Sequence, residues 1–403
     1  MITFKFWTTV SIALLLLPNV AAGADVAKDA LEKGKALCEK KDYDAAIAAL
    51  DEAIRIDCKS AEAFYVRGET YARKQDCNKA ITDLTEAIRL NPKYVDAYLG
   101  RGMAYKDRGS TDNAIADFNE AMRLDPNGAK AYYGRGLLYG KKNEVDKAVA
   151  DYTTAIRLDP KWAGTYWTRG SVYWNKGELD KAVADYTDAI RLDPTNATLY
   201  FVRASILTEK GELDKAIADC TEAIRLNPND TGALEARSFA YAKSGKYDKA
   251  VADFEKVIRI QPNDAWSYRS RGVLYKKNGE NDKAIADFNE AIRLNPKDSE
   301  AYGLRGLARM DTAEYELAIS DFTKAVHLNP NDSNAYSLRG ITHYVQGNFG
   351  KAIADYSKAI RLNPKDANAF HNRGDAYEKL GKTAKADEDF EKAKELGYKP
   401  KPK

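Results

Sequence analysis

The apolar positions of this chain return at one fixed interval. An alanine stands at Ala46, Ala80, Ala114, Ala148, Ala182, Ala216, Ala250, Ala284, Ala318, Ala352 and Ala386, each 34 residues after the last. Four residues on comes a ring or another apolar side chain, as at Phe118, Tyr152, Tyr186, Phe254, Phe288 and Phe390, and three beyond that a second small residue, as at Ala121, Ala155 and Ala189. Spacings of four and three place all three on one face of a helix. Earlier in the same interval Gly102, Gly136, Gly170, Gly272 and Gly340 each precede a tyrosine or comparable ring by three, which predicts a separate first helix with a notch for the second. Nine prolines, from Pro92 to Pro364, punctuate the intervals without one insertion. The pattern therefore predicts an all-α chain of helical hairpins.

In that frame the repeats are residues 27–60, 61–94, 95–128, 129–162, 163–196, 197–230, 231–264, 265–298, 299–332, 333–366 and 367–400, eleven in a continuous array with a basic end at 401–403. A larger side chain at the alanine position would force two helices apart. The last repeat departs where exposure would demand it, with Asp387, Glu388 and Lys394 at or beside positions that hold Ile353 and Ile360 one repeat earlier. Such a polar outer face is expected of a closing hairpin, so the array reads as complete and not as a fragment.

Small residue, Gly, Tyr, Ala, ring, Ala and closing Pro in this order resemble the tetratricopeptide repeat. The resemblance covers residues 27–400. It implies a right-handed α-solenoid superhelix of antiparallel helix pairs, whose concave groove is lined mainly by the first helix of each pair. The family is functionally mixed, so the resemblance alone does not assign a purpose.

Residues that vary between repeats are those the packing leaves free. The fifth position of each repeat is expected to face the groove, and reads Leu31, Tyr65, Leu99, Tyr133, Trp167 and Phe201, then Glu235, Arg269, Gly303, Ser337 and His371. Met103, Leu137 and Trp174 lie further along the same helices and widen the apolar strip. The sequence thus predicts a ligand groove over repeats two to six, anchored between Tyr133, Trp167, Trp174 and Phe201, because a large apolar patch marks a binding face. The alternative is that these side chains fold down into the core. Arg269, Lys276 and Lys277 are candidates for an acidic part of the same ligand. The paired Lys and Asn with which some relatives hold a terminal carboxylate are absent, as is an Asn ladder, whose positions read Val66, Gly100, Gly134 and Thr168.

A second periodic pair, Arg67 to Arg373 and Asp83 to Asp389, recurs in repeats two to eleven, while repeat one has Lys33 and Ala49. Since both members change together, it predicts a structural ion pair between the two helices of a hairpin.

Charge narrows the function further. Lys and Arg number 63 against 60 Asp and Glu, so no basic field exists for a nucleic-acid backbone. Catalysis has little to draw on. His327, His343 and His371 fall in three unrelated positions, and every glycine stands alone, so neither a triad, a metal site, a cofactor site nor a phosphate loop is expected. A non-enzymatic scaffold for protein or peptide partners is the primary expectation. The alternative is a carrier of envelope polysaccharide or peptidoglycan using the same rings.

The first 24 residues differ from the rest. Lys5 precedes an apolar run from Ile12 to Leu17, and Ala22-Gly23-Ala24 supplies small residues for a peptidase, which predicts a signal peptide spanning 1–24. The run is short for a membrane span, so no integral span is expected after cleavage. An exported bacterial protein of the periplasm or cell exterior follows, with an uncleaved N-terminal anchor as the alternative. Of Cys38, Cys58, Cys77 and Cys220, the last occupies a core ring position and is expected to be inert, whereas Cys38 and Cys77 fall on one edge and are a disulfide candidate.

Overall fold

The computed structural model describes the backbone of residues 8–399 and the side chains of residues 24–399. The described residues form 22 α-helices and no strand, paired as antiparallel hairpins. They fall into two compact units, one ending at Pro194 and the other beginning at Thr195. The N-terminal unit holds the pairs Thr8–Glu39 with Tyr43–Ile56, Ala61–Arg73 with Cys77–Leu90, Val95–Arg108 with Thr111–Leu124, Ala129–Lys141 with Val145–Leu158, and Ala163–Asn175 with Leu179–Leu192. The C-terminal unit holds Ala197–Glu209 with Leu213–Leu226, Thr231–Lys243 with Tyr247–Ile260, Ala265–Lys277 with Asn281–Leu294, Ser299–Asp311 with Tyr315–Leu328, Ser333–Val345 with Phe349–Leu362, and Ala367–Lys379 with Thr383–Glu395.

The backbone of the first helix begins at Thr8, well before the frame's start at residue 27. The side chains of the expected signal segment up to Gly23 lie outside the described residues. Among the described residues no helix is long and apolar enough to cross a membrane.

The recurring alanines close each hairpin. Ala80, Ala114, Ala148, Ala182, Ala216, Ala250, Ala284, Ala318 and Ala352 are fully buried. The rings four residues later are buried too, and they enter the notches of the first helix. A methyl group added at Gly136 would come within 2.7 Å of the Tyr152 ring, and one at Gly374 within 2.6 Å of the Phe390 ring. Volume is conserved across the pair, for where Cys220 replaces the ring, Ala204 replaces the glycine and both are fully buried. Burial pushes the Cys220 thiol up to about 12, so it is a packing residue and stays protonated.

Arg67 to Arg373 and Asp83 to Asp389 form the expected pair in all ten repeats that carry it. In repeat three Arg101 donates from Nε and Nη2 to the two carboxylate oxygens of Asp117 at 2.8 and 2.7 Å. The third guanidinium nitrogen does something the spacing did not foretell. Nη1 of Arg101, Arg135 and Arg305 reaches back to Thr85, Asn119 and Asn289 on the second helix of the preceding hairpin. One arginine therefore ties three helices, and a planar fork suits that task better than a lysine ammonium. Asp253 is only 3% exposed, so the pair fixes register and cannot also receive a ligand. Asp387, Glu388 and Lys394 of the last hairpin are exposed, as expected.

Candidate functional site

Each first helix is preceded by a turn residue whose side chain can satisfy the free N–H groups of the first helical turn. In the C-terminal unit Asp230, Asp264, Asp298, Asp332 and Asp366 do so, accepting from Ala233, Ser267, Ala301, Ala335 and Ala369. In the N-terminal unit Ser60 caps its helix, but Tyr94, Gly128 and Trp162 make no side-chain cap bond. Each lost cap costs about 1 kcal/mol. Tyr94 packs with Tyr65 against the buried cluster of Ala80, Leu84 and Ala97.

Tyr94 lies 4.9 Å from Tyr65 and Trp162 lies 4.4 Å from Tyr133, ring centre to ring centre. Tyr65, Leu99, Met103, Tyr133 and Trp162 line one cavity of about 400 Å³ across the first helices of repeats two to four. Gly100 and Gly134 in its neighbourhood keep the helix surface low, since a methyl at Gly134 would meet Phe118 at 2.5 Å. Met103 remains 38% exposed. Burial pushes the Tyr65 hydroxyl well above its ordinary range and that of Tyr94 up to about 12, so both stay neutral donors.

The polar members of the cavity are Glu69, Asp96, Asp107 and Lys130. Asp107 is paired with Lys106 at 2.7 Å. Burial raises the Glu69 carboxyl above the usual carboxylate range, Arg73 and Lys130 pulling it down and Asp96 pushing it up.

Of the predicted groove residues, Tyr65, Leu99, Met103 and Tyr133 come together here. Leu137, Trp167 and Trp174 do not line this cavity, and Phe201 belongs to the C-terminal unit. Trp167 is 37% exposed, about as much as Met103, and stands outside this cavity. The ring pair at this cavity is Tyr133 with Trp162. Leu31 is core. Sequence reading missed Trp162 and Glu69, although Trp162 carried a signal: it stands where later repeats hold a capping Asp.

The C-terminal unit uses the same face otherwise. Arg269, expected to await an acidic ligand, donates to Asp298 at 3.2 Å and to Glu300, and Lys276 pairs with Asp311 at 2.8 Å. Both are engaged by the chain itself, because the following helix brings carboxylates within reach, and of the three only Lys277 is exposed with no ion pair among the described residues. Ring contacts gather instead around Phe239, Phe254 and Trp266, with centres 5.8 to 6.1 Å apart. A second cavity of about 620 Å³ is lined by the amides of Asn334, Asn363, Asn368 and Asn372 together with Leu338, Ile341, Lys365 and Asp366, and by no ring.

The cysteine pairing is corrected. All four thiols are free, Cys38 being buried with its sulfur 2.8 Å from Thr70 Oγ1. The three histidines stay apart. His343 is buried, which lowers its pKa, His327 is exposed, and His371 stacks on Tyr398 at 3.9 Å. No group of three or more His, Cys, Asp or Glu among the described residues is placed to hold a metal ion.

Comparison with known proteins agrees with the hairpin geometry. Models of the TPR repeat match residues 34–75, 68–109, 102–143, 240–279 and 343–381. Models of the tetratricopeptide repeat match 168–231, 129–161, 265–298, 299–332 and 367–396. No curated protein matches the chain. Among solved structures, MamA is 29% identical over 40% of this chain and 93% of its own, with a TM-score of 0.38. YrrB, described as a TPR protein with an unusual peptide-binding site, is 25% identical over 46% of this chain and 96% of its own, at 0.40. A tetratricopeptide repeat protein from Parabacteroides merdae is 24% identical over 64% of this chain and 98% of its own, at 0.46.

Proposed function

Because the chain belongs to the tetratricopeptide repeat family, we propose that it is a non-enzymatic scaffold that holds partner proteins or peptides against the first-helix face of its N-terminal unit. One observation carries this reading. Trp162 stands where a cap is worth about 1 kcal/mol, makes no cap, and places its ring beside Tyr133 at a cavity of about 400 Å³. Rings with a polar tip suit recognition, giving broad apolar contact at small entropy cost.

The test is a peptide array probed with the intact mature protein and with Trp162→Asp, which restores a cap and removes the ring. The expected result is a variant as stable as the parent that retains array peptides at least ten times more weakly. Unchanged retention would remove the site assignment.

A carrier for envelope glycan is the second reading, favoured by the same rings. Against it, the amides suited to sugar hydroxyls, Asn334, Asn368 and Asn372, line a separate cavity in the C-terminal unit that contains no ring. Retention of envelope glycan but not of peptides would reverse the preference.

We also propose that the protein is exported to the periplasm or cell exterior, on the strength of its first 24 residues. N-terminal sequencing of the purified protein is expected to begin at Asp25. A start at Met1 would point to the anchored alternative.

A further inference from the structure

We propose that the N-terminal cavity selects a basic side chain of the partner peptide, arginine above all, by placing it between the Glu69 carboxylate and the rings of Tyr65 and Tyr133. This rests on the peptide-binding reading above and names the chemistry of the occupant.

Glu69 has no hydrogen bond or ion pair among the described residues, although it is half-buried and lines the cavity. Most other charges on this face are satisfied by the chain itself. Lys35 reaches Glu62 at 2.6 Å, Lys276 reaches Asp311 and Arg269 reaches Asp298. Arg73, one turn further along the Glu69 helix, and Lys130, from the first helix of repeat four, act on the carboxylate electrostatically but form no pair with it. The space it occupies exists because position 100 is glycine. A methyl there would stand 2.5 Å from Glu69 Oε1. Asp96, on the first helix of repeat three, adds a second negative charge at the rim.

Three classes of occupant can be weighed against that arrangement. An acidic side chain meets Glu69 and Asp96 with only Lys130 in the lining to offset them, and like charges in a half-buried site repel. An apolar side chain would finish the burial of Glu69 and leave its charge uncompensated, which is costly. A cation cancels that cost and gains from the faces of Tyr65, Tyr133 and Trp162 as well. Guanidinium does both at once, because its flat fork can stack on a ring while donating two hydrogen bonds to one carboxylate.

The probe is a set of nonapeptide pools identical in composition except for a fixed central Arg, Leu or Glu, titrated against the intact mature protein by fluorescence polarisation. The Arg pool is expected to bind at least ten times more tightly than the Leu and Glu pools. Glu69→Gln, which keeps the shape of the side chain, should bring the Arg pool to the level of the Leu pool. Gly100→Ala, which displaces the carboxylate from the cavity, should weaken the same preference, with the thermal midpoint reporting that the hairpins still form. A Leu pool that binds as well as the Arg pool, or an Arg preference that survives Glu69→Gln, would overturn the inference while leaving peptide binding intact. Failure of every pool to bind would instead overturn the scaffold reading, and this inference with it.

Discussion

In the N-terminal unit the residue ahead of a first helix is Ser60, Tyr94, Gly128 or Trp162, whereas in the C-terminal unit it is Asn196, Asp230, Asp264, Asp298, Asp332 or Asp366. The groove positions differ in step. Tyr65, Leu99, Tyr133 and Trp167 on one side correspond to Glu235, Arg269, Gly303 and Ser337 on the other. Both units share the buried alanines and the arginine–aspartate pair. What holds a hairpin together is thus constant, and what its outer face offers is not. The proposed binding face lies where the rule for stability is relaxed.

The largest effect should fall on what the units share. Arg101→Ala in the N-terminal unit and Arg237→Ala in the C-terminal unit each leave a buried aspartate, Asp117 or Asp253, without its cation, at a cost of about 3–5 kcal/mol. Hydrogen exchange should show local opening around the altered hairpin in both cases. A large loss in one unit alone would mean that the pair is not the common fastening.

Binding should divide them. Tyr133→Ala is expected to weaken peptide binding by about 2 kcal/mol, the scale of a central hot spot, while Phe239→Ala in the C-terminal unit leaves it unchanged in the same calorimetric titration. Equal losses would erase the distinction.

Capping should divide them in the opposite sense. Asp264→Ala removes a working cap and is expected to lower stability by about 1 kcal/mol in urea unfolding, whereas Trp162→Asp should hold or raise it. A stability loss from Trp162→Asp would show that the ring is structural.

The smallest effect is that of pH on Glu69. Its carboxyl is raised in the folded state by burial, so above its ordinary value of 4.5 the folded protein holds a proton that the unfolded chain has released. The Glu69 contribution to stability therefore falls as pH rises from 4.5 through the raised value. Glu69→Gln should flatten that part of the thermal-midpoint profile, and an unaltered slope would contradict the shift.

The hairpins were fully legible in the sequence because the 34-residue interval is set by close packing, and packing tolerates little variation at Ala148, Gly136 or Tyr152. The arginine–aspartate pair was legible for the same reason. Half of the predicted groove came together, since Tyr65, Leu99, Met103 and Tyr133 lie on successive first helices. The rest failed for physical reasons that spacing does not carry. Trp167 stands outside the cavity, and Arg269 found carboxylates on the next hairpin. Trp162 sits in a turn, outside the helical periodicity used to find the groove, and Glu69 gained its importance only from the glycine at position 100 across from it.

Site-directed photo-crosslinking tests the central claim most directly. A photoreactive amino acid would be placed at position 103 or at position 239, both of which carry apolar side chains exposed by 38% and 46% in the native protein. With an array-selected peptide as ligand, crosslinking is expected from position 103 and not from position 239. Crosslinking from position 239 with none from position 103 would contradict the account.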